Sequence, residues 1–149
     1  MSEKRVSEKR VNENRVSQQE SSIPVPEPSA ASEPFWAATR ARELHMQRCA
    51  ACARLVWYPR FACPHCGHDQ LDWERLSGQG VVYAVSVHHR PALPALADKV
   101  PYAVVLVDLD EGARIMSTMF GQPPRVGEPV TVAWAPLPDG RNLPTFELS

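Results

Sequence analysis

The chain has 149 residues, 44% of them hydrophobic, and a formal net charge of −1. That length suits one ordinary domain or two very small ones. Residues 1–34 hold five Lys/Arg against six Asp/Glu and residues 35–149 hold eleven of each, which argues against a nucleic-acid binder working through phosphate contacts.

The chain opens on a degenerate five-residue repeat, Ser2 to Val6, Ser7 to Val11 and Asn12 to Val16, with a decayed copy from Ser17. A valine every fifth position builds no helical stripe. From Ser21 to Pro34 the composition turns to Ser, Ala and Pro, so residues 1–31 read as a disordered tail. The opening carries no apolar signal-peptide core, and the longest apolar run, Val100 to Val107, is far too short to span a bilayer. The expected compartment is therefore the reducing cytoplasm, with no membrane partner.

Order is expected from Ser32, a helix cap, with Pro34 in the first turn. Residues 32–47 are free of further Pro or Gly and rich in Ala, Arg, Glu and Leu, which predicts a helix. Phe35 and Trp36 crowd its start and are candidates for contact with another chain.

Residues 48–68 hold all four cysteines, as Cys49-Ala50-Ala51-Cys52 and, after ten intervening residues, Cys63-Pro64-His65-Cys66. Two CxxC pairs at this separation place four thiolates around one ion, the tetrahedral S₄ set that Zn²⁺ accepts. An S₄ iron site, or disulfides, would use the same residues, but i,i+3 cysteines make poor disulfide frames. Gly67 is suited to positive φ after the second knuckle, where Ala53 occupies the matching place after the first. A closed four-thiolate site offers no open position to a substrate, so the metal is expected to be structural. Between the knuckles, Trp57, Tyr58 and Phe61 form an aromatic cluster with Arg60, a cation suited to phosphate.

Residues 69–149 read as short strands. Leu71 to Leu76 alternates, and Ser77 to Gly80 turns the chain. Val81, Tyr83, Val85 and Val87 share one face of the next strand. A proline-bearing loop leads to a strand from Tyr102 to Leu109, and Asp110-Glu111-Gly112 turns it into Arg114–Phe120. Val130, Val132 and Trp134 line another strand, and Asp139-Gly140 precedes a last one at Pro144–Leu148. With no helix long enough for a parallel crossover, a small OB-like barrel of five or six strands is the economical architecture.

The catalytic inventory is thin. His88 and His89 point to opposite faces of a strand; Asp108, Asp110 and Glu111 sit at a hairpin; His45, His65 and His68 surround the helix and ribbon. No cysteine lies outside the motif.

Taken together, residues 34–149 resemble the DUF35 family of OB-fold proteins with an N-terminal, rubredoxin-like zinc ribbon. The resemblance is carried by Phe35-Trp36, by Gln47-Arg48-Cys49 through Cys52, by Tyr58-Pro59-Arg60 before Cys63 to Gly67, by Ser77 to Tyr83, by Val100 to Gly112, and by Gly127 with Pro129-Val130. It implies a mainly β fold with helix, zinc ribbon and OB barrel in that order. It also implies a non-catalytic accessory subunit of acyl-CoA enzymes. The partner would be a thiolase-fold protein (a thiolase, synthase or retro-aldolase, including those of steroid or lipid side-chain degradation) or a hot-dog-fold enoyl-CoA hydratase. Structural zinc held by Cys49, Cys52, Cys63 and Cys66 is the implied cofactor, with CoA or acyl-CoA a ligand shared with the partner. Phe35, Trp36, Trp57, Tyr58, Arg60 and Phe61 are the expected partner or CoA contacts. The rival from another class is a single-stranded nucleic-acid binder, since OB barrels serve that purpose too.

Overall fold

A computed structural model describes residues 23–149; the five-residue repeat and the first part of the tail read above as disordered lie outside the described residues. Helix α1 spans Glu33–Arg40, with Pro34 in its first turn. Ser32 stands at the N-cap, but its hydroxyl bonds to Ser29 O (3.2 Å) rather than to the helix N–H groups. The helix stops well short of the residue 47 expected from composition. Arg42 takes a left-handed φ of 57°, its N–H bonds to Thr39 O (3.0 Å), and the Glu43 N–H bonds back to Ala38 O (3.2 Å). This is a Schellman ending with arginine where glycine is usual. Helix propensity over residues 43–47 yields to pairing, because His45–Cys49 forms strand β1.

Strand β1 is the middle of a three-stranded antiparallel sheet, flanked by β2 (Leu55–Val56) and β3 (Leu71–Arg75). The residue-69 boundary drawn from sequence therefore needs correction. The strand after the second knuckle closes the ribbon, with Cys49 opposite Leu71 and His45 opposite Arg75, rather than opening the barrel. Arg48 and Glu74 tie the two strands by paired contacts, one of 2.9 Å.

The barrel consists of β4 (Gln79–His88), β5 (Tyr102–Leu109), β6 (Arg114–Met119), β7 (Pro129–Pro136) and β8 (Asn142–Leu148), in the order β6-β5-β4-β7-β8. All neighbours are antiparallel. The edges β6 and β8 meet across a seam, where the Ser117 hydroxyl donates to Pro144 O (2.7 Å). In β5 the alternation expected of a half-buried strand holds, with Ala103, Val105, Val107 and Leu109 all buried. Strand β4 breaks it. A bulge between Val82 and Ala84 shifts the register, so Val82 and Val85 both pack inward and Tyr83 turns out. The single shared face predicted for Val81 to Val87 is thus divided. Gly80 permits close approach of β4 to β5, since a Cβ there would sit 2.3 Å from Asp108 O.

One hydrophobic cluster runs through both sheets and the helix. Phe35 of α1, Leu44 and Met46 at β1, and Leu55 of β2 share it with Val82, Ile115, Val130 and Phe146 of the barrel. The helix is fixed to β8 by polar contacts as well. Asn142 Nδ2 donates to Thr39 O (2.8 Å) and Asn142 N to Thr39 Oγ1 (3.3 Å), with Thr39 fully buried. The preceding segment is held by Arg141, whose Nη2 donates to Pro26 O (2.7 Å).

Candidate functional site

Both knuckles form by the same local device. The Ala53 N–H returns to Cys49 O (2.9 Å), and the Gly67 N–H returns to Cys63 O (2.8 Å). Ala53 takes φ 59° and Gly67 φ 80°, so the alanine accepts the left-handed conformation at a cost of about 1–2 kcal/mol. The result gathers Cys49, Cys52, Cys63 and Cys66 so that their sulfurs all lie within 4.8 Å of one another. Cys49 Sγ stands 3.6 Å from Cys66 Sγ, and Cys52 Sγ 3.6 Å from Cys63 Sγ. With Zn–S bonds of about 2.3 Å, a tetrahedral site has edges of roughly 3.8 Å, so the spacing fits a tetrahedral thiolate site.

The electrostatics of the cluster lead the same way. The Cys52 N–H, aided by that of Ala51, is aimed at the Cys49 sulfur and outweighs burial, lowering that thiol to about 6. At Cys66 the His68 N–H also favours the thiolate. There, desolvation and contact with the Cys49, Cys52 and Cys63 sulfurs win, and the thiol is pushed up to about 12. One cysteine is ready to ionise and its neighbour resists. A dication at the centre removes that conflict.

The six expected contact residues separate into two groups. Phe35, Trp36, Trp57 and Tyr58 come together. The Phe35 ring lies 5.1 Å from both Trp36 and Trp57, and Trp57 lies 4.8 Å from Tyr58. They form one wall of a cleft of about 580 Å³ that opens between α1, the ribbon and the β6/β8 seam. The indole Nε1 of Trp57 is buried and finds no acceptor among the described residues. Arg60 and Phe61 belong instead to a smaller hollow of about 210 Å³, with Gln47, Asp69 and Trp73. Buried Gln47 fixes the Arg60 backbone from both sides, accepting from its N–H (2.8 Å) and donating to its carbonyl (2.9 Å). The Arg60 side chain and the Phe61 ring are left exposed.

Sequence reasoning missed the opposite wall of the cleft, which the barrel supplies through Leu96, Met116, Phe120 and Leu143. Met116 carried a signal. Its neighbour Ile115 is buried, so Met116 occupies an outward register position yet is apolar and 59% exposed.

Several of the other candidate titratable groups are engaged by neighbours. Asp108 receives Arg114 through contacts of 2.6 and 3.0 Å, and this guanidinium holds its carboxyl below the ordinary range. Glu111 accepts the Ser77 N–H (2.6 Å), and His45 Nε2 lies 2.9 Å from Glu43. His88 stacks on Tyr102 at 5.1 Å. His89 follows the end of β4, and His65 and His68 are exposed on the second knuckle. No helix among the described residues is long and apolar enough to cross a membrane.

Two family models account for this arrangement. Residues 36–72 match the rubredoxin-like zinc ribbon domain of ChsH2, and residues 73–135 match the C-terminal OB-fold domain of ChsH2. A chain in the solved structure of an Ltp2–ChsH2(DUF35) aldolase superposes with a TM-score of 0.74 at 35% identity, covering 83% of this chain and 98% of that one. The chain belongs to the ChsH2/DUF35 family. As a ChsH2/DUF35 chain it is also similar to a probable enoyl-CoA hydratase alpha subunit of Thermomonospora curvata, 40% identical over 116 residues. A DUF35 domain-containing scaffold protein of Methanothermobacter thermautotrophicus is 34% identical over 71 residues. The match covers 75% of this chain but 36% of the Thermomonospora protein, so the chain spans about a third of that relative. A DUF35 structure of unknown function from Sulfolobus solfataricus, at 15% identity and a TM-score of 0.56, shares the fold.

Proposed function

We propose that this chain is a non-catalytic accessory subunit that binds and stabilises an acyl-CoA enzyme of the thiolase fold. The observation that carries this reading is its correspondence, over nearly the whole of that chain, with a component of the Ltp2–ChsH2(DUF35) aldolase. The chemistry of the chain is consistent with it. Among the described residues the one His–carboxylate ion pair is His45–Glu43, and Arg75 occupies the other Glu43 oxygen (3.1 Å), so that pair serves strand ends rather than a nucleophile. In this reading Cys49, Cys52, Cys63 and Cys66 hold a structural zinc, which supplies cross-linking and no reactive coordination position. The ribbon's exposed Arg60 and Phe61 are the surface offered to the partner and to the CoA phosphates.

A second reading, partnership with a hot-dog-fold enoyl-CoA hydratase, is favoured by the 40% identity to a hydratase alpha subunit. Co-expression with a thiolase-fold and with a hydratase candidate, followed by size exclusion and activity assay, separates the two. The expected outcome is co-elution with the thiolase-fold protein and a gain in its soluble yield. A chain that elutes alone and leaves partner yield and turnover unchanged overturns both readings.

A further inference from the structure

The segment ahead of α1 borders the cleft. It reads Ile23-Pro24-Val25-Pro26-Glu27-Pro28, with a proline at every second position. Each proline fixes φ at about −65° and pushes the residue before it into extended backbone, so the segment favours polyproline II geometry. With about three residues per turn in that geometry, Ile23, Pro26 and Ser29 share one face. The burial pattern follows this period. Ile23 and Ser29 line the cleft, and Ile23 and Pro26 are half-buried while Pro24, Val25, Glu27 and Pro28 are exposed.

Little fastens this segment. Proline lacks the N–H that strand pairing needs. Among the described residues one hydrogen bond holds residues 23–28, the 2.7 Å contact from Arg141 Nη2 to Pro26 O. The donor, by contrast, is firmly set. Arg141 is 6% exposed, its Nε donates to Asp139 Oδ2 (2.7 Å), and its guanidinium lies 4.9 Å from the Trp36 centroid. The far end of the segment is also fixed, because the Ser29 N–H donates to Ser32 Oγ (2.9 Å) and the Ser32 N–H to Ser29 O (2.9 Å). A stiff rod thus hangs from a serine turn and is caught at one point. Its prolines leave little chain entropy to lose each time it closes, and its release breaks no sheet hydrogen bond.

We propose that residues 23–28 are a hinged strap on the cleft, latched by Arg141, which lifts to admit what enters there and recloses while the barrel stays folded. The inference does not depend on which enzyme the chain accompanies; it stands on the strap, the hinge and the latch.

The test uses the full zinc-loaded chain and the uncharged apolar dye Nile red, followed by stopped-flow fluorescence. Arg141→Gln removes the latch, and Ile23→Asp independently removes the strap's apolar contact with the cleft. Each should speed dye association at least about threefold, because the open form becomes more populated. Val25→Asp, in the same strap at a residue 39% exposed, should leave the rate unchanged, and thermal melts check that all variants fold. Met116→Arg, in the opposite wall, should weaken dye binding and so locate it in the cleft. A segment that is only a fixed piece of wall gives another pattern, faster dissociation with association untouched, and that result overturns the proposal. Equal effects of Val25→Asp and Ile23→Asp also overturn it. So does absence of saturable binding, or binding that Met116→Arg leaves unaffected, because the cleft then admits nothing for a strap to gate. The kinetics need no partner, so their failure leaves the subunit reading standing. Failure of co-elution likewise leaves the strap standing.

Discussion

Cys63 is 3% exposed and packs with Cys49 and Val56 in a small cluster apart from the main core. So little apolar surface cannot hold the knuckles unaided, and metal binding is worth roughly 10 kcal/mol or more to such modules. Cys63→Ser should therefore abolish stoichiometric zinc, measured by elemental analysis, and lose partner co-elution together with it. A variant that assembles normally while only turnover falls would assign the metal a catalytic part instead. A milder residue-scale effect concerns Glu74. The Arg48 guanidinium bonded to it holds its carboxyl below the ordinary 4.5, and the pair is partly exposed. Because the folded value is depressed, its stabilisation is complete above about pH 4.5 and is lost as pH falls through the folded value. Glu74→Gln should cost about 0.5 kcal/mol at neutral pH, and the gap from wild type in thermal melts should close under acid conditions.

At the scale of elements, the short helix matters more than its eight residues suggest, because Phe35 and Trp36 build the cleft wall. Its position depends on Asn142, which is 6% exposed and bonded to both the carbonyl and the hydroxyl of Thr39. Asn142→Ala leaves that carbonyl without its side-chain donor and should cost about 1–3 kcal/mol, read as a lower denaturation midpoint. What could be read from the sequence, and what could not, also divides by element. Cysteine spacing announced the knuckles, and Asp110-Glu111-Gly112 and Asp139-Gly140 announced the hairpins, because these signals are local. The end of α1 was hidden, because Arg42 adopts left-handed geometry with no glycine to mark it. Strand β1 was hidden too, since its pairing on both edges is decided by residues 55–56 and 71–75, far along the chain. The cleft was half legible: its aromatic wall lies near the cysteines in sequence, and its barrel wall is assembled from β6, β8 and the 3₁₀ turn at Pro94–Leu96.

For the whole molecule, the four-cysteine cluster and the cleft share the ribbon, since Trp57 and Tyr58 lie on the span joining the two knuckles. Stripping zinc with a chelator under reducing conditions should displace Trp57 from the Phe35 ring and shift the tryptophan fluorescence. The barrel, whose sheet owes its ladder to β4–β8 alone, should keep most of its far-ultraviolet β signal. Loss of that β signal together with the fluorescence shift would show that ribbon and barrel melt as a unit.

Strand β1 makes that last possibility concrete. Cys49 at its end is one of the four gathered sulfurs, while Met46, three residues earlier, is fully buried in the same cluster as Val82 and Phe146. The two segments that match separate family models meet between residues 72 and 73, within strand β3 (Leu71–Arg75). That border does not coincide with a break in the fold: a cut there severs the β1–β3 ladder and removes Phe35, Leu44, Met46 and Leu55 from the core they share with the barrel. A fragment beginning at Trp73 should be aggregation-prone when expressed alone and should be rescued by supplying residues 23–72 in trans, as judged by soluble yield. Monomeric, cooperatively melting behaviour of that fragment would show instead that the barrel needs no ribbon.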